Sequence, residues 1–563
     1  MPFAIEARFH PRLVIAVDRS FITRLAMSSF EMILQIFTRF EDAMRGRRIL
    51  RDVVISGIGA SLFWIAVVGC AGRPGAPPEN AQFLDAPPQL YPDYVDVVVP
   101  ANIAPLNFDV CEDGEDIATY VWASEDGKAV GKPLFSFSGS EVRFPLSRWK
   151  KVLRDNAGKT LLVSVYATRE GKRLRFKDAK IVVSPDKIDP YVSYRLVGPG
   201  YERFSDLALW TRNIENFRER AIFRARLVNE RTCVNCHTFQ DRRTENFFFH
   251  TRLVQGGSVF VEDDAKTTKR DLKAEGLDGG CSYAAWRPNS KHVAFTVNDT
   301  RQLFHLKSLD RIDVLDTFSD LYLYDVARNI LTPVAPPGDD QLETYPNWSQ
   351  DGAYLYYSSA KNPGFTTSRN DVESRRMETS ELRTKFKYDV MRVAFDEKTG
   401  RFGKPELIYD ASGQGKSALF PRVSPDGKTL LFTLTDHGCF PIWYRDSDLW
   451  SLNLETGEAR SLDEINSPEE PDSYHSWDSS GRWIVFSSRR DDGSYTRLYF
   501  SHFNDDQTFS RPVMLPQKAP VKTLETLRSY NIPEFTVEPV RVSQHRLLKE
   551  AKLDPSERAR LVQ

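Results

Sequence analysis

Ser282 to Thr296 reads SYAAWRPNSKHVAFT, and three later stretches repeat its plan: TYPNWSQDGAYLYYS from Thr344 to Ser358, LFPRVSPDGKTLLFT from Leu419 to Thr433, and SYHSWDSSGRWIVFS from Ser473 to Ser487. Each unit opens on an aromatic and continues in a short strand centred on Trp286, Trp348, Val423 or Trp477. It then turns at a polar loop and returns in an apolar strand that ends in Phe or Tyr. A unit of this kind cannot bury its own apolar face, so repeated copies must pack on one another. A third strand follows in three of the units (Asp320–Asp325, Asp389–Phe395 and Asp448–Asn453), then a turn such as Lys398-Thr399-Gly400 or Glu455-Thr456-Gly457, and a fourth strand. Four strands per repeat predict the blade of a β-propeller.

Once these four are aligned, a fifth unit becomes legible: Phe239, the polar run Gln240 to Arg243, and the apolar run Asn246 to Phe249. Six blades are expected, five or seven being compatible with the same repeats. The stretch Ile532 to Val542 is read as the strand that closes the ring. The Trp348-Ser349-Gln350-Asp351-Gly352 and Val423-Ser424-Pro425-Asp426-Gly427 turns resemble the TolB-type, WD-like propeller repeat. The resemblance implies the fold over roughly residues 230 to 515; it leaves the activity open.

Composition agrees with an all-β chain. Aromatics make up 12% of the 563 residues, and 33 prolines and 31 glycines suit many short strands joined by turns. A formal net charge of -1 gives no global attraction for nucleic acid, and no nucleic-acid partner is expected. Between Tyr94 and Val183 the alternating runs Val95–Val99, Leu106–Val110, Leu161–Tyr166 and Lys180–Val183, separated by Asp-Gly and Glu-Gly turns, read as a β-sandwich that serves as a spacer or docking domain.

The N-terminal region reads as an export signal. Arg45, Arg47, Arg48 and Arg51 precede an apolar run from Val53 to Val68, and Val67-Val68-Gly69-Cys70 resembles the lipoprotein motif whose cysteine is lipidated. Residues 1–43 do not fit a signal and are read as an extension ahead of a native start at Met44. The expected organisation is therefore an extension (1–43), a signal (44–70), a flexible linker (71–93), the β-sandwich (94–185), the propeller (186–542) and a C-terminal charged helix (543–563). The expected location is the bacterial envelope, periplasmic or on the outer membrane, with the membrane reached through a lipid anchor at Cys70.

The six cysteines are too few and too scattered for a disulfide scaffold. Cys233-Val234-Asn235-Cys236-His237, however, is a C-x-x-C-H segment, the pattern of covalent haem c attachment. In it two thiols bond the porphyrin and the adjacent imidazole ligates iron. A structural disulfide, a metal site and a redox pair are the competing readings. No second Cys-x-x-Cys or His-x-x-x-His pair completes a zinc site, and no βαβ unit supports a thioredoxin-like pair. Cys281 and Cys439 are read as buried free thiols.

Aligning Phe239 with the other strand centres places His237 in register with Ala284, Pro346, Pro421 and His475. His475 is thus the first candidate for a second haem ligand, followed by His305 and His250. The loops Asn298–Ser319, Ala360–Tyr388 and Asp436–Ser447 load one propeller face, which is the expected functional one.

No G-x-S-x-G elbow or phosphate loop is present, and the residues after the last repeat are too few for a hydrolase domain. No catalytic residue is assigned. The expected function is one haem c in electron transfer with a redox partner protein or envelope complex. The alternative is a TolB-like scaffold that binds a protein or glycan without haem chemistry. A further alternative is a haem enzyme, since a propeller with a C-x-x-C-H segment is similar to the alpha subunit of hydrazine synthase. That subunit carries more than one such motif where this chain has one.

Overall fold

The computed structural model describes residues 76–199, 206–264, 266–277, 280–305, 308, 310–335, 340–367, 371–555 and 557–562. The N-terminal extension, the export signal and Cys70 lie outside the described residues.

The chain is all-β in architecture, and beyond Tyr191 its repeats become radial sheets. Among the described residues six such sheets, called blades here, share one strand order. Blade one combines Tyr191–Val197, Ala208–Asn213 and Glu219–Arg224 with Ser529–Thr536, which lies innermost. Blade two is Thr232–Phe239, Phe247–Leu253, Gly257–Glu262 and Lys266–Arg270; blade three is Gly280–Trp286, His292–Phe304, Ile312–Asp325 and Ile330–Pro333. Blade four runs Gln341–Trp348, Tyr354–Lys361 and Tyr388–Asp396, and two short strands, Arg401–Phe402 and Glu406–Tyr409, both pair with the last of these. Blade five is Ser417–Val423, Thr429–Thr435, Asp448–Asn453 and Ala459–Ser461; blade six is Asp472–Trp477, Trp483–Ser488, Arg497–His502 and Val513–Met514. The innermost strands touch one another in turn and enclose a central channel. Blade one joins strands from both ends of the propeller through antiparallel pairing of Tyr191–Val197 with Ser529–Thr536.

Ahead of the ring, residues 82–184 form a seven-stranded and a three-stranded sheet. One helix, Leu146–Asp155, packs within them through Trp149, Val152 and Leu153. Their spacing gives the helix one apolar stripe, and the Trp149 indole donates to the Ile103 carbonyl at 3.1 Å. An all-strand reading of this region passes over that stripe.

The stretch expected to be a flexible linker also contributes to these sheets. Gln82–Leu84 pairs with Lys172–Phe176, and Leu90–Tyr91 pairs with Phe108–Val110. Among its described prolines, Pro77 and Pro78 precede the first strand, Pro87 and Pro88 lie between the two and Pro92 follows the second, so none has to supply a ladder hydrogen bond. The domain is fused to the ring rather than strung from it. Val97, Trp149, Val192, Trp483 and Phe500 belong to one apolar core, and the Tyr94 hydroxyl donates to the Met514 carbonyl at 3.2 Å.

The C-terminal segment is only partly helical. The helix spans Gln544–Ala551 and buries Leu547 and Ala551 against blades one and two. Arg560–Leu561 then adds a parallel strand to the outer edge of blade three. No helix among the described residues is long and apolar enough to cross a membrane.

Candidate functional site

Each innermost strand contains one residue in the left-handed region: Cys236 (φ 50°), Tyr283 (41°), Tyr345 (57°), Phe420 (56°), Tyr474 (53°) and Ile532 (51°). Each coincides with a break in strand register. This backbone costs an L-residue on the order of 1–2 kcal/mol, and aromatic packing across the channel offsets it. The centroids of Tyr283 and Tyr345 lie 4.4 Å apart, those of Tyr345 and Phe420 3.7 Å, and those of Phe420 and Tyr474 4.9 Å. These rings plug the channel. Blade two supplies Cys236 where its neighbour supplies Tyr283, so a thiol stands at the plug in place of a ring.

The bulge also decides where the C-x-x-C-H side chains go. Residues i and i+3 of a regular strand face opposite sides, but the left-handed Cys236 resets the alternation. Cys233 and Cys236 both line a cavity of about 400 Å3 on the loop-bearing side of the plug. Its walls include Phe304, Ile312, Val314 and Phe440, and Arg195 and Arg252 are its basic members. Burial pushes the Cys233 thiol up, opposed by Arg195 and Arg252. The loops on this side are more regular than their sequence implies. Residues 298–319 are mostly the continuation of a long hairpin, and residues 360–388 hold a helix, Val372–Leu382.

His237 lines a second chamber of about 140 Å3, on the other side of the plug, together with His475. Both imidazoles are buried, and none of their ring nitrogens has a well-formed hydrogen bond. Burial lowers His237 to about 4 and His475 to about 3, with Arg195 and Arg422 respectively adding to the effect. Glu534, from the strand that closes blade one, approaches His237 Nε2 to 3.9 Å through Oε2 and accepts from the Thr238 hydroxyl through Oε1 at 3.1 Å. Burial raises Glu534 to about 7, against the pull of Arg422, Thr238 and Arg242. Arg422 and Arg242 also line this chamber.

The remaining histidine candidates lie apart from this pair. His305 Nε2 is bonded to Asp313 Oδ2 at 2.6 Å, and Asp313 also faces His437 Nε2 at 3.5 Å. Hydrogen bonds from His437, His305 and Tyr444 overcome the opposing effect of burial and hold Asp313 down at about 2. His250 Nδ1 meets the Ser258 hydroxyl at 2.7 Å and lines a cavity on blade two with Cys281. Cys281 and Cys439 are buried free thiols, both pushed up by burial, Cys281 to about 12. Among the described residues no group of three or more His, Cys, Asp or Glu side chains is arranged to hold a metal ion.

Glu534 and Arg422 went unnoticed in the sequence, although both were within reach of the alignment. Arg422 precedes the strand centre Val423, and Pro533-Glu534-Phe535 repeats the register of His475-Ser476-Trp477.

No family model and no curated protein matches the chain. Among solved structures it is similar to TolB from Acinetobacter baumannii, with 11% identity, a TM-score of 0.39, and coverage of 69% of this chain and 85% of that one. The structure of putative TolB from Agrobacterium tumefaciens gives 12% identity, a TM-score of 0.34, and coverage of 62% and 99%. Kuenenia stuttgartiensis hydrazine synthase gives 12% identity, a TM-score of 0.29, and coverage of 49% and 64%. The propeller assignment stands on the ring of sheets itself.

Proposed function

We propose that the protein is an exported propeller carrying one haem c on Cys233 and Cys236, which exchanges electrons with a redox partner at the cell envelope and is held there by a lipid on Cys70. The observation that carries this reading is that the bulge at Cys236 brings both thiols of the C-x-x-C segment to one cavity. A haem bound there supplies a one-electron couple. Phe304, Ile312, Val314 and Phe440 would wall it from water, and Arg195 and Arg252 would meet its acidic groups. The thiols therefore fit attachment. His237 lines only the chamber across the plug, which it shares with Cys236 and not with Cys233, and no step is assigned to it.

The test is an absorption spectrum of the exported protein, oxidised and reduced, made with active cytochrome maturation, plus a haem stain on a denaturing gel. Covalent colour lost in a Cys233→Ser, Cys236→Ser variant supports the reading, and a colourless native protein overturns it.

The separation of His237 from the cavity that Cys233 lines favours a second reading, a scaffold whose loop-bearing face binds a protein or glycan without haem. In that case the same double variant keeps its partner in a pull-down, and loss of the partner counts against it.

A further inference from the structure

The chamber that holds His237 is enclosed by the plug at one end, and Asp241, Arg242, Pro288 and Gln350, from the first turns of blades two to four, line its rim. Four polar groups inside it are underused. His237 and His475, with 4% and 2% of their surface exposed, have no well-formed hydrogen bond at any ring nitrogen, the backbone at Ser193 lying near His237 and that at Leu431 and Phe420 near His475. Glu534 Oε2 has no hydrogen bond. Arg422 donates to the carbonyl of its own neighbour Pro421 at 3.0 Å and forms no ion pair among the described residues. Buried polar groups left without partners are costly, and several converging on one chamber mark a place where a ligand supplies what the protein does not.

We propose that this chamber is a binding site for a small carboxylate, with the forked Arg422 guanidinium as its anchor and His237 and His475 as flanking donors. A guanidinium matches a carboxylate two bonds at a time, and neutral imidazoles each offer one N–H. The plug rings Tyr283, Tyr345, Phe420 and Tyr474 line the chamber's inner end, giving an apolar surface for the body of the ligand. The volume of about 140 Å3 restricts that body to a few heavy atoms. Two arginines face two acidic residues here, Asp241 and Glu534. Burial raises Glu534 to about 7, so it stands near half-protonation at neutral pH and repels an anion less than a free carboxylate. A metal cation is disfavoured by the same two guanidiniums. The site lies across the plug from Cys233, with Cys236 at the boundary between the two spaces, and does not depend on haem.

The test is calorimetric titration of the full exported protein with acetate, butyrate and benzoate, with chloride and sulfate as controls. The expected result is saturable binding of at least one carboxylate, weakened about 10- to 100-fold by Arg422→Gln. Arg422→Lys, which keeps the charge and loses the fork, should fall between. Cys233→Ser and Arg252→Gln, which change only the other cavity, should bind as the native protein does. Thermal melts of each variant separate lost binding from lost folding, and His475→Asn provides a second probe if Arg422→Gln does not fold. No carboxylate binding at millimolar concentration overturns the proposal, as does binding that Arg422→Gln and His475→Asn, both folded, leave unchanged.

Discussion

Cys236 and His237 are consecutive residues at one barrier: Cys236 stands in the plug and lines the spaces on both sides of it, while His237 lines only the far chamber. The left-handed backbone at Cys236 makes this possible. The plug is thus the element on which the chemistry of both chambers rests.

Removing a plug ring should therefore be costly and should connect the chambers. Tyr345 is fully buried, packs in tilted contact with Tyr283 and Phe420, and donates its hydroxyl to the Cys439 carbonyl. Tyr345→Ala should destabilise by about 3–5 kcal/mol, in the range of large aromatic truncations. It should also speed labelling of Cys236 and Cys439 by a thiol reagent. Urea melts and labelling rates read both effects; unchanged labelling with the expected destabilisation would mean that the remaining rings close the gap.

Two of the three glycines in the repeat turns should differ in tolerance. Gly352 (φ 68°) and Gly427 (φ 74°) both occupy the left-handed region, where a side chain is strained. A Cβ at Gly427 meets nothing within 4 Å, whereas one at Gly352 comes within 3.0 Å of Arg287 Nε. Arg287 cannot move aside cheaply. It donates to the Gly352 carbonyl at 3.0 Å, pairs with Glu397 at 3.1 Å and stacks over Phe395 at 5.2 Å. Gly427→Ala should cost about 1 kcal/mol and Gly352→Ala about twice that. Equal costs in chemical denaturation would show that Arg287 is not fixed.

Acid should weaken the fold through its buried histidines. His237, His250 and His475 are lowered by burial to about 4, 3 and 3. Between these values and the ordinary 6.5 the unfolded chain binds protons that the folded chain refuses, so stability falls as pH drops through this window. Glu534, raised to about 7, and Asp316 and Asp478, raised to about 6, act oppositely, costing stability as pH rises from about 4. His250→Asn isolates one contribution, since Asn can still bond the Ser258 hydroxyl and does not titrate. The native-minus-variant stability should be flat above pH 7 and decline below 6.5 by up to about 1.4 kcal/mol per pH unit. A flat difference down to pH 4 would show that His250 protonates in the fold without penalty.

The propeller was legible because its repeat is written in local terms: an aromatic, a strand centre, a polar turn and an apolar return, four times over. The register of His237 with His475, and their shared chamber, followed from the same alignment; the C-x-x-C-H segment reads as the loop entering its blade, whereas it lies within the innermost strand Thr232–Phe239. The direction of each side chain did not follow, because alternation is reset by a left-handed residue that in this strand is a cysteine and not a glycine. The roles of Glu534 and Arg422 depend on blades far apart in sequence meeting across the channel. The helix at Leu146–Asp155 was hidden by its length of 10 residues among strands, despite the spacing of Trp149, Val152 and Leu153.

The C-terminal tail should matter more than a charged surface helix would. The Lys269 ammonium lies buried and donates to the carbonyls of Gln255 at 3.0 Å, Ala551 at 2.9 Å and Leu553 at 2.8 Å. Beyond it, the Ala559 amide bonds the Asp271 carbonyl at 2.8 Å, and Arg560–Leu561 covers the outer strand of blade three. Ending the chain at Lys552 removes one of the three acceptors and exposes a strand edge, Ile330–Pro333, to pairing with other molecules. The truncated protein should lose about 2 kcal/mol or more, since a buried ammonium loses part of its hydrogen bonding. Amide exchange should accelerate in the outer strands of blades two and three first, and association should rise with concentration in sedimentation. An unchanged melting temperature with unchanged exchange in those strands would show that the tail rests on the ring without supporting it.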